Sequence, residues 1–286
     1  MERPSKEALL LAGPLVALVL GAMVVPLLGT CWSSLWQEVP FLARSFRGMA
    51  NYADLLREDR FWQALAFTLA FCLCSVGLEM VAGVAAALIL NERLPGRGLM
   101  RAAALLPWVI PSAVGARLWQ LIWRYREGMA NLAIGWLGMG PVSWLGTPLG
   151  AFACVVVADA WRTTPFVALI VLAGLQGVPP ELHLQARVDG ASPWQRLWRV
   201  TLPAIRPALL VALAFRSVDA LRVFDPVYVI TGGGPGGWTT SLSLYAYRYF
   251  LIGDFGHGSA ASVLLFLMAL GMALAWLGRL RVEGWP

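Results

Sequence analysis

The stretch that decides the fold is Gln63-Ala-Leu-Ala-Phe-Thr-Leu-Ala-Phe-Cys-Leu-Cys-Ser-Val-Gly-Leu-Glu-Met-Val-Ala-Gly-Val-Ala-Ala-Ala-Leu-Ile-Leu90, with Glu79 its single charge. About 20 apolar residues cross a hydrocarbon layer of roughly 30 Å as a helix. The run shows no alternation of apolar and polar positions, so it reads as a helix and not as a barrel strand. Outward from it, comparable runs fall at about 8–30, 99–123, 149–175, 203–230 and 258–280. The first is too long for a signal-peptide core and has no clear cleavage site after it, so it is read as a retained span. The third contains Pro107 and Pro111 and is expected to kink.

Composition agrees. The 286 residues are 59% hydrophobic and 13% charged, with mean hydropathy +0.68; a soluble domain carries about 25% charged residues. The expectation is an all-α polytopic membrane protein of about six transmembrane helices, forming one transmembrane domain over 1–286. The net charge is +6, and Lys6 is the only lysine among 22 basic residues. No basic run with interleaved aromatics suggests a nucleic-acid groove. The four cysteines show no metal spacing; Cys72 and Cys74, two apart on a helix, point to different sides. With only His183 and His257, no histidine metal site is expected.

Six spans put both termini on one side. The N-terminus, 91–101, 176–206 and the C-terminal tail hold 11 Lys and Arg, against 7 in 31–60, 124–148 and 231–257. The positive-inside rule then places both termini in the cytoplasm. Trp32, Trp36, Trp119, Trp123, Trp144 and Trp276, near span ends, suit an interfacial belt.

Eight charges remain inside the runs: Glu79, Arg117, Asp159, Arg162, Arg216, Asp219, Arg222 and Asp225. Each costs about 2.5–3.5 kcal/mol at a helix centre. They read either as interhelical pairs or as a polar route through the bundle. Arg216, Asp219, Arg222 and Asp225 are spaced by three, so neighbours can pair along one helix. Counting from Pro203, Arg216 lies past the midplane and Asp225 near the outer mouth. Asp159-Ala-Trp161-Arg162, followed by Thr163 and Thr164, combines an aromatic face with charge and hydroxyls. That chemistry suits a sugar, and equally a satisfied polar cluster.

Residues 178–203 are dense in helix punctuation. Pro180 suits a first helical position, with Glu181 at the positive end of the dipole. Gly190 can end that helix in the left-handed conformation. Ser192 and Pro193 read as N-cap and first residue of a second short helix, and Pro203 opens the next span. The result is a rigid elbow suited to docking.

This loop resembles the "EAA" loop of permease subunits in binding-protein-dependent ABC importers: Glu-Ala-Ala, three residues, Gly, nine residues, Ile-x-Leu-Pro. The pattern is met at Ala186, Asp189, Gly190, Val200, Leu202 and Pro203. Leu184 stands where the family has Glu, and Gln185 where it has Ala; Glu181 lies one short turn away. The resemblance runs through Asn51-Tyr52, Arg60–Ala64, Leu106–Pro111, Trp119, Gly128, Asn131, Trp161–Phe166, Phe224–Pro235 and Phe255–Ser262. These segments are similar to carbohydrate permeases of the maltose and glycerol-phosphate type, first-permease branch. The resemblance implies a multi-pass protein of a bacterial or archaeal inner membrane. It implies as partners a second homologous permease, two copies of a cytoplasmic ATP-binding subunit, an extracytoplasmic solute-binding protein and membrane lipid. ATP and Mg would be held by the ATPase partners, with no cofactor in this chain. Glu181, Leu184, Gln185, Ala186, Asp189, Gly190, Leu202 and Pro203 would couple to the ATPase. Glu79, Asp159, Trp161, Arg162, Arg216, Asp219, Arg222 and Asp225 would line or gate the path.

The chain has no P-loop, whose lysine must reach the phosphates; Thr231-Gly-Gly-Gly-Pro235 lacks that lysine. An enzyme would need a nucleophile–base or metal cluster, and none is visible. The alternative is a gradient-driven secondary transporter working through Glu79 and Asp159, which predicts internal repeats and usually more spans.

Overall fold

A computed structural model describes residues 6–40, 42–92 and 95–282; Arg3 and Arg93, counted above for orientation, lie outside them. In chain order the helices are α1 (Lys6–Ser33), α2 (Ala50–Arg57), α3 (Asp59–Asn91), α4 (Arg97–Val109), α5 (Ser112–Ile122), α6 (Met129–Gly135) and α7 (Pro148–Gln176). They continue as α8 (Pro180–Val188), α9 (Pro193–Arg196), a π-turn at Leu197–Thr201, α10 (Leu202–Ala204), α11 (Arg206–Leu221), α12 (Asp225–Ile230), α13 (Leu242–Leu251) and α14 (Phe255–Val282). Among the described residues the only strands are β1 (Trp36–Gln37) and β2 (Ser45–Phe46), paired antiparallel. Four helices are long and apolar enough to cross a membrane, or up to six if each of two bent pairs counts as one span.

The bends have identifiable causes. α4 and α5 meet at 91°. Ile110, between them, is extended (φ −65°, ψ 129°) because the ring of the following Pro111 disfavours helix at the residue before it. What reads in sequence as a kinked run over 99–123 is therefore two rods. The chain bends again by 68° between Pro193–Ala204 and α11, so the apolar helix starts at Arg206 and not at Pro203. It stops at Leu221, short of the expected 230. Pro226 has no N–H for the carbonyl four residues back, and the chain re-enters helix as α12 only at Asp225.

Contacts divide the chain into two compact units. One takes the residues up to Phe61 with Tyr245–Leu267. In it the buried Asn51 amide donates to the carbonyls of Ser34 (2.8 Å) and Trp36 (2.9 Å), satisfying acceptors just past α1. Tyr245 and Tyr249 each donate to the Glu58 carboxylate at 2.7 Å. Burial foremost pushes the Tyr249 phenol up to about 12, and raises Tyr245 as well.

The other unit takes Trp62–Leu244 with the residues from Met268 on. Its core is Ala87, Leu90, Val167, Ala168, Val171, Leu172, Leu175, Ile205 and Ala212, drawn from α3, α7 and the start of α11. Small residues set the spacing, as usual in membrane helix packing. A Cβ at Gly83 would meet Val167 Cγ1 at 2.6 Å, and one at Gly174 would meet Ala208 Cβ at 2.6 Å.

Candidate functional site

The close approach of α3, α7 and α11 brings together charges far apart in sequence. Arg216 on α11 grips Glu79 on α3 with both faces of its fork, Nε to Oε2 at 2.5 Å and Nη2 to Oε1 at 2.9 Å. The same Nη2 donates to Asp159 Oδ2 on α7 at 3.1 Å, and Nη1 donates to Asp219 one turn along α11. The Ser75 hydroxyl lies 2.7 Å from Glu79 Oε1 and 3.0 Å from Asp159 Oδ2. Having one proton, it serves one carboxylate at a time. Glu79, Asp159 and Arg216 are 0%, 4% and 2% exposed. Two buried carboxylates on one guanidinium leave negative charge over, and Arg162 Nη2 at 3.6 Å from Asp159 Oδ1 offsets it.

From this buried knot the cluster opens outward. Asp219 also accepts from Arg222 at 3.2 Å; Asp219 is half-buried and Arg222 exposed, and both line a cavity. A space of ≈ 600 Å³ is lined by Trp108, Phe166, Phe215 and Trp276 together with Arg162 and Asp219. Its aromatic wall is continuous: Trp108 to Phe166 is 5.9 Å and Phe166 to Phe215 is 6.2 Å between ring centres. A smaller space of ≈ 220 Å³ is lined by Ser112, Asp159, Arg162, Asp219, Arg222 and Asp225. Arg162 Nε is buried without a hydrogen-bond partner. Apolar ring faces beside unspent polar groups are the chemistry that orients a polyhydroxy solute.

The eight residues singled out in sequence are thus not equivalent. Glu79, Asp159, Arg162, Arg216, Asp219 and Arg222 form one network, with Glu79 sealed inside it. Asp225 sits at the edge of the smaller cavity, on α12. Trp161 packs edge-on against Trp119 at 5.8 Å and lines a separate space of ≈ 520 Å³ with Leu118 and Met129. Ser75 and the wall residue Phe215 carried no sequence signal of their own, and Trp276, read in sequence as an interfacial anchor, lines the cavity with its indole donating to Ser217 Oγ at 2.8 Å. Cys72 is buried and Cys74 exposed, and all four cysteines are free. Among the described residues no three His, Cys, Asp or Glu are placed to hold a metal ion.

The elbow is the second element. α8 opens with Pro180 as its first residue and ends at Val188, with Asp189 as its C-cap. Gly190 takes φ +77°, its N–H bonds to Arg187 O (3.1 Å), and Ala191 N–H reaches back to Ala186 O (2.9 Å). That is a Schellman cap. Ser192 then caps α9 in a reciprocal box: Ser192 N–H to Gln195 Oε1 at 2.8 Å, Gln195 N–H to Ser192 Oγ at 3.3 Å. Ala186 is buried, anchoring the helix. Glu181, Leu184, Gln185, Asp189 and Pro203 are exposed, Leu202 is half-buried, and Val188 is 88% exposed.

Bent apolar helices around a charged, aromatic-walled cavity, with a capped elbow outside them, define a membrane-embedded permease. Residues 79–281 match the family described as binding-protein-dependent transport system inner membrane component, and the chain belongs to that family. It is 47% identical to the trehalose/maltose transport system permease protein MalF of Thermococcus litoralis, over 98% of this chain and 96% of that one. It is 40% identical to the trehalose transport system permease protein SugA of Mycobacterium tuberculosis, over 91% and 83%. A chain of a bacterial ABC transporter involved in the import of the acidic polysaccharide alginate matches at TM-score 0.82 and 25% identity, covering 98% of each.

Proposed function

We propose that this chain is a permease subunit of an ATP-driven importer for a sugar, trehalose or maltose or a close analogue. The observation that carries the reading is the cavity beside Arg162 and Asp219. It offers ring faces for stacking, and donors and acceptors not yet fully used. The names of the relatives that align over nearly the whole chain support the sugar class. The chain would form half of the translocation path, with a second homologous permease forming the other half. Two cytoplasmic ATP-binding subunits, holding ATP and Mg, would drive it, and an extracytoplasmic binding protein would deliver the solute. Both termini would lie in the cytoplasm.

On this reading Glu181, Leu184, Gln185, Ala186, Asp189, Gly190, Leu202 and Pro203 receive the ATPase motion. Asp159, Arg162, Arg216, Asp219, Arg222 and Asp225 shape the path, Trp161 flanks it, and Glu79 holds Arg216 in place. Arg222, exposed where both cavities meet it, offers the solute donors, and Asp219 offers an acceptor by releasing one of its two arginines. The gradient-driven alternative is disfavoured by the family.

The test is uptake of labelled trehalose or maltose into proteoliposomes holding this chain and its co-purifying subunits. Uptake should need ATP and the binding protein and survive a collapsed proton gradient. Uptake by the chain alone, without ATP and abolished by the uncoupler, would overturn the proposal.

A further inference from the structure

The connection between α5 and α7 carries an apolar face that none of the roles above uses. From Gly128 to Thr147 it holds no charged residue, immediately after Arg124, Arg126 and Glu127. Met129, Leu132 and Trp136 fall at i, i+3 and i+7, on one helical face, and all three are exposed. Trp136 is 90% and Leu137 74% exposed, and Met139 follows them outward.

This face is rigidly mounted. The buried Asn131 side chain accepts from Val142 N–H (3.0 Å) and from the Trp144 indole (3.0 Å), and donates to Val142 O (2.9 Å). Gly128 admits no side chain, since a Cβ there would sit 2.4 Å from the carbonyl oxygens of Ile122 and Arg124. Trp144 lies three residues before Thr147, the N-cap of α7. α6 is therefore pinned level with the end of a membrane-crossing helix. Trp119 stacks on Trp123 and Trp144 packs tilted against Trp123, each pair 5.4 Å apart, and such indoles concentrate at the membrane–water boundary.

We infer that α6 and the turn Trp136–Met139 form an interfacial foot, seated in the headgroup–acyl boundary of the bilayer, with phospholipid as its occupant. An uncharged cluster of Trp, Leu and Met held at the level of a span end is most stable in that boundary, where indoles and apolar side chains concentrate. Arg124 and Arg126 then sit at the level of the lipid phosphates. A surface kept wet until a protein partner arrives would expose this Trp-Leu-Met cluster to water with no charge to solvate it.

The test uses the assembled transporter in lipid nanodiscs, with spin labels at Leu137→Cys and, as a control, Arg126→Cys. Both are made in a chain whose Cys31, Cys72, Cys74 and Cys154 are replaced by alanine. The label at 137 should collide with oxygen more often than with a water-soluble nickel chelate, the label at 126 the reverse, and added binding protein should change neither. Nickel access at 137 would overturn the inference, and so would shielding from both probes, the sign of a protein cover. In the unsubstituted chain, a phospholipid with a diazirine at the top of its acyl chain should label the peptide around Trp136 as it labels the span ends. Labelled span ends with that peptide unlabelled would equally sink it.

Discussion

The elbow at 178–203 and the ion cluster of α3, α7 and α11 are both secured by hydrogen bonds, yet over opposite distances along the chain. In the elbow the caps close within five residues, from Ala191 back to Ala186 and between Ser192 and Gln195. In the cluster, Arg216 reaches partners 137 and 57 residues away in sequence. The elbow's shape is a local property and travels with it as a unit. The cluster exists only once three helices have docked, so its integrity reports on the packing of that unit.

The largest effect should come from breaking the long-range member. Arg216→Ala leaves Glu79 without a cation in a dry site and Asp159 with Arg162 alone, and removing one partner of a buried ion pair costs about 3–5 kcal/mol. Thermal unfolding of the purified complex should show it as a sharply lower midpoint. Replacing the whole knot, Arg216→Met and Arg162→Met with Glu79→Leu and Asp159→Leu, should recover most of that stability, because the buried charges go together and Asp219 keeps Arg222. Transport should stay lost. Recovered transport would show that the knot only holds helices together.

The elbow responds differently. Gly190→Val forces a side chain into the left-handed conformation, at about 1–2 kcal/mol. Assembly should survive while ATP-driven uptake falls; uptake at the unsubstituted level would remove the coupling role. Ser192→Ala deletes one half of the capping box, worth about 1 kcal/mol. It should lower uptake only slightly, read as a small drop in rate with the same dependence on ATP.

The same contrast explains what was legible in the sequence. Pro180, Gly190, Ser192 and Pro193 each announced their conformation, since a cap is written within a few residues. The spans were legible as apolar runs, and the i,i+3 pairing of Arg216 with Asp219 followed from helical spacing. The Glu79–Arg216 pair was not, because spacing along one helix says nothing about which helix lies opposite. Nor could it show that Trp161 and Arg162, adjacent on α7, face different spaces. The break at Ile110 was legible as proline, but its 91° angle depends on what the two rods pack against. The continuity of residues 203–230 was overestimated, because hydropathy registers the apolar side chains while Pro226 acts on the backbone.

That break between α4 and α5 has an electrical consequence. α5 begins at Ser112, and Ser112 lines the smaller cavity alongside Asp159, Asp219 and Asp225. The unpaired N–H groups at a helix start carry about half a positive charge. The proline break thus brings a positive pole to three carboxylates without a further arginine. Unlike an arginine, this pole cannot swing away or change partner; it moves only when the whole helix moves. Any rocking that opens or closes the angle between the two rods therefore retunes the field in the cavity.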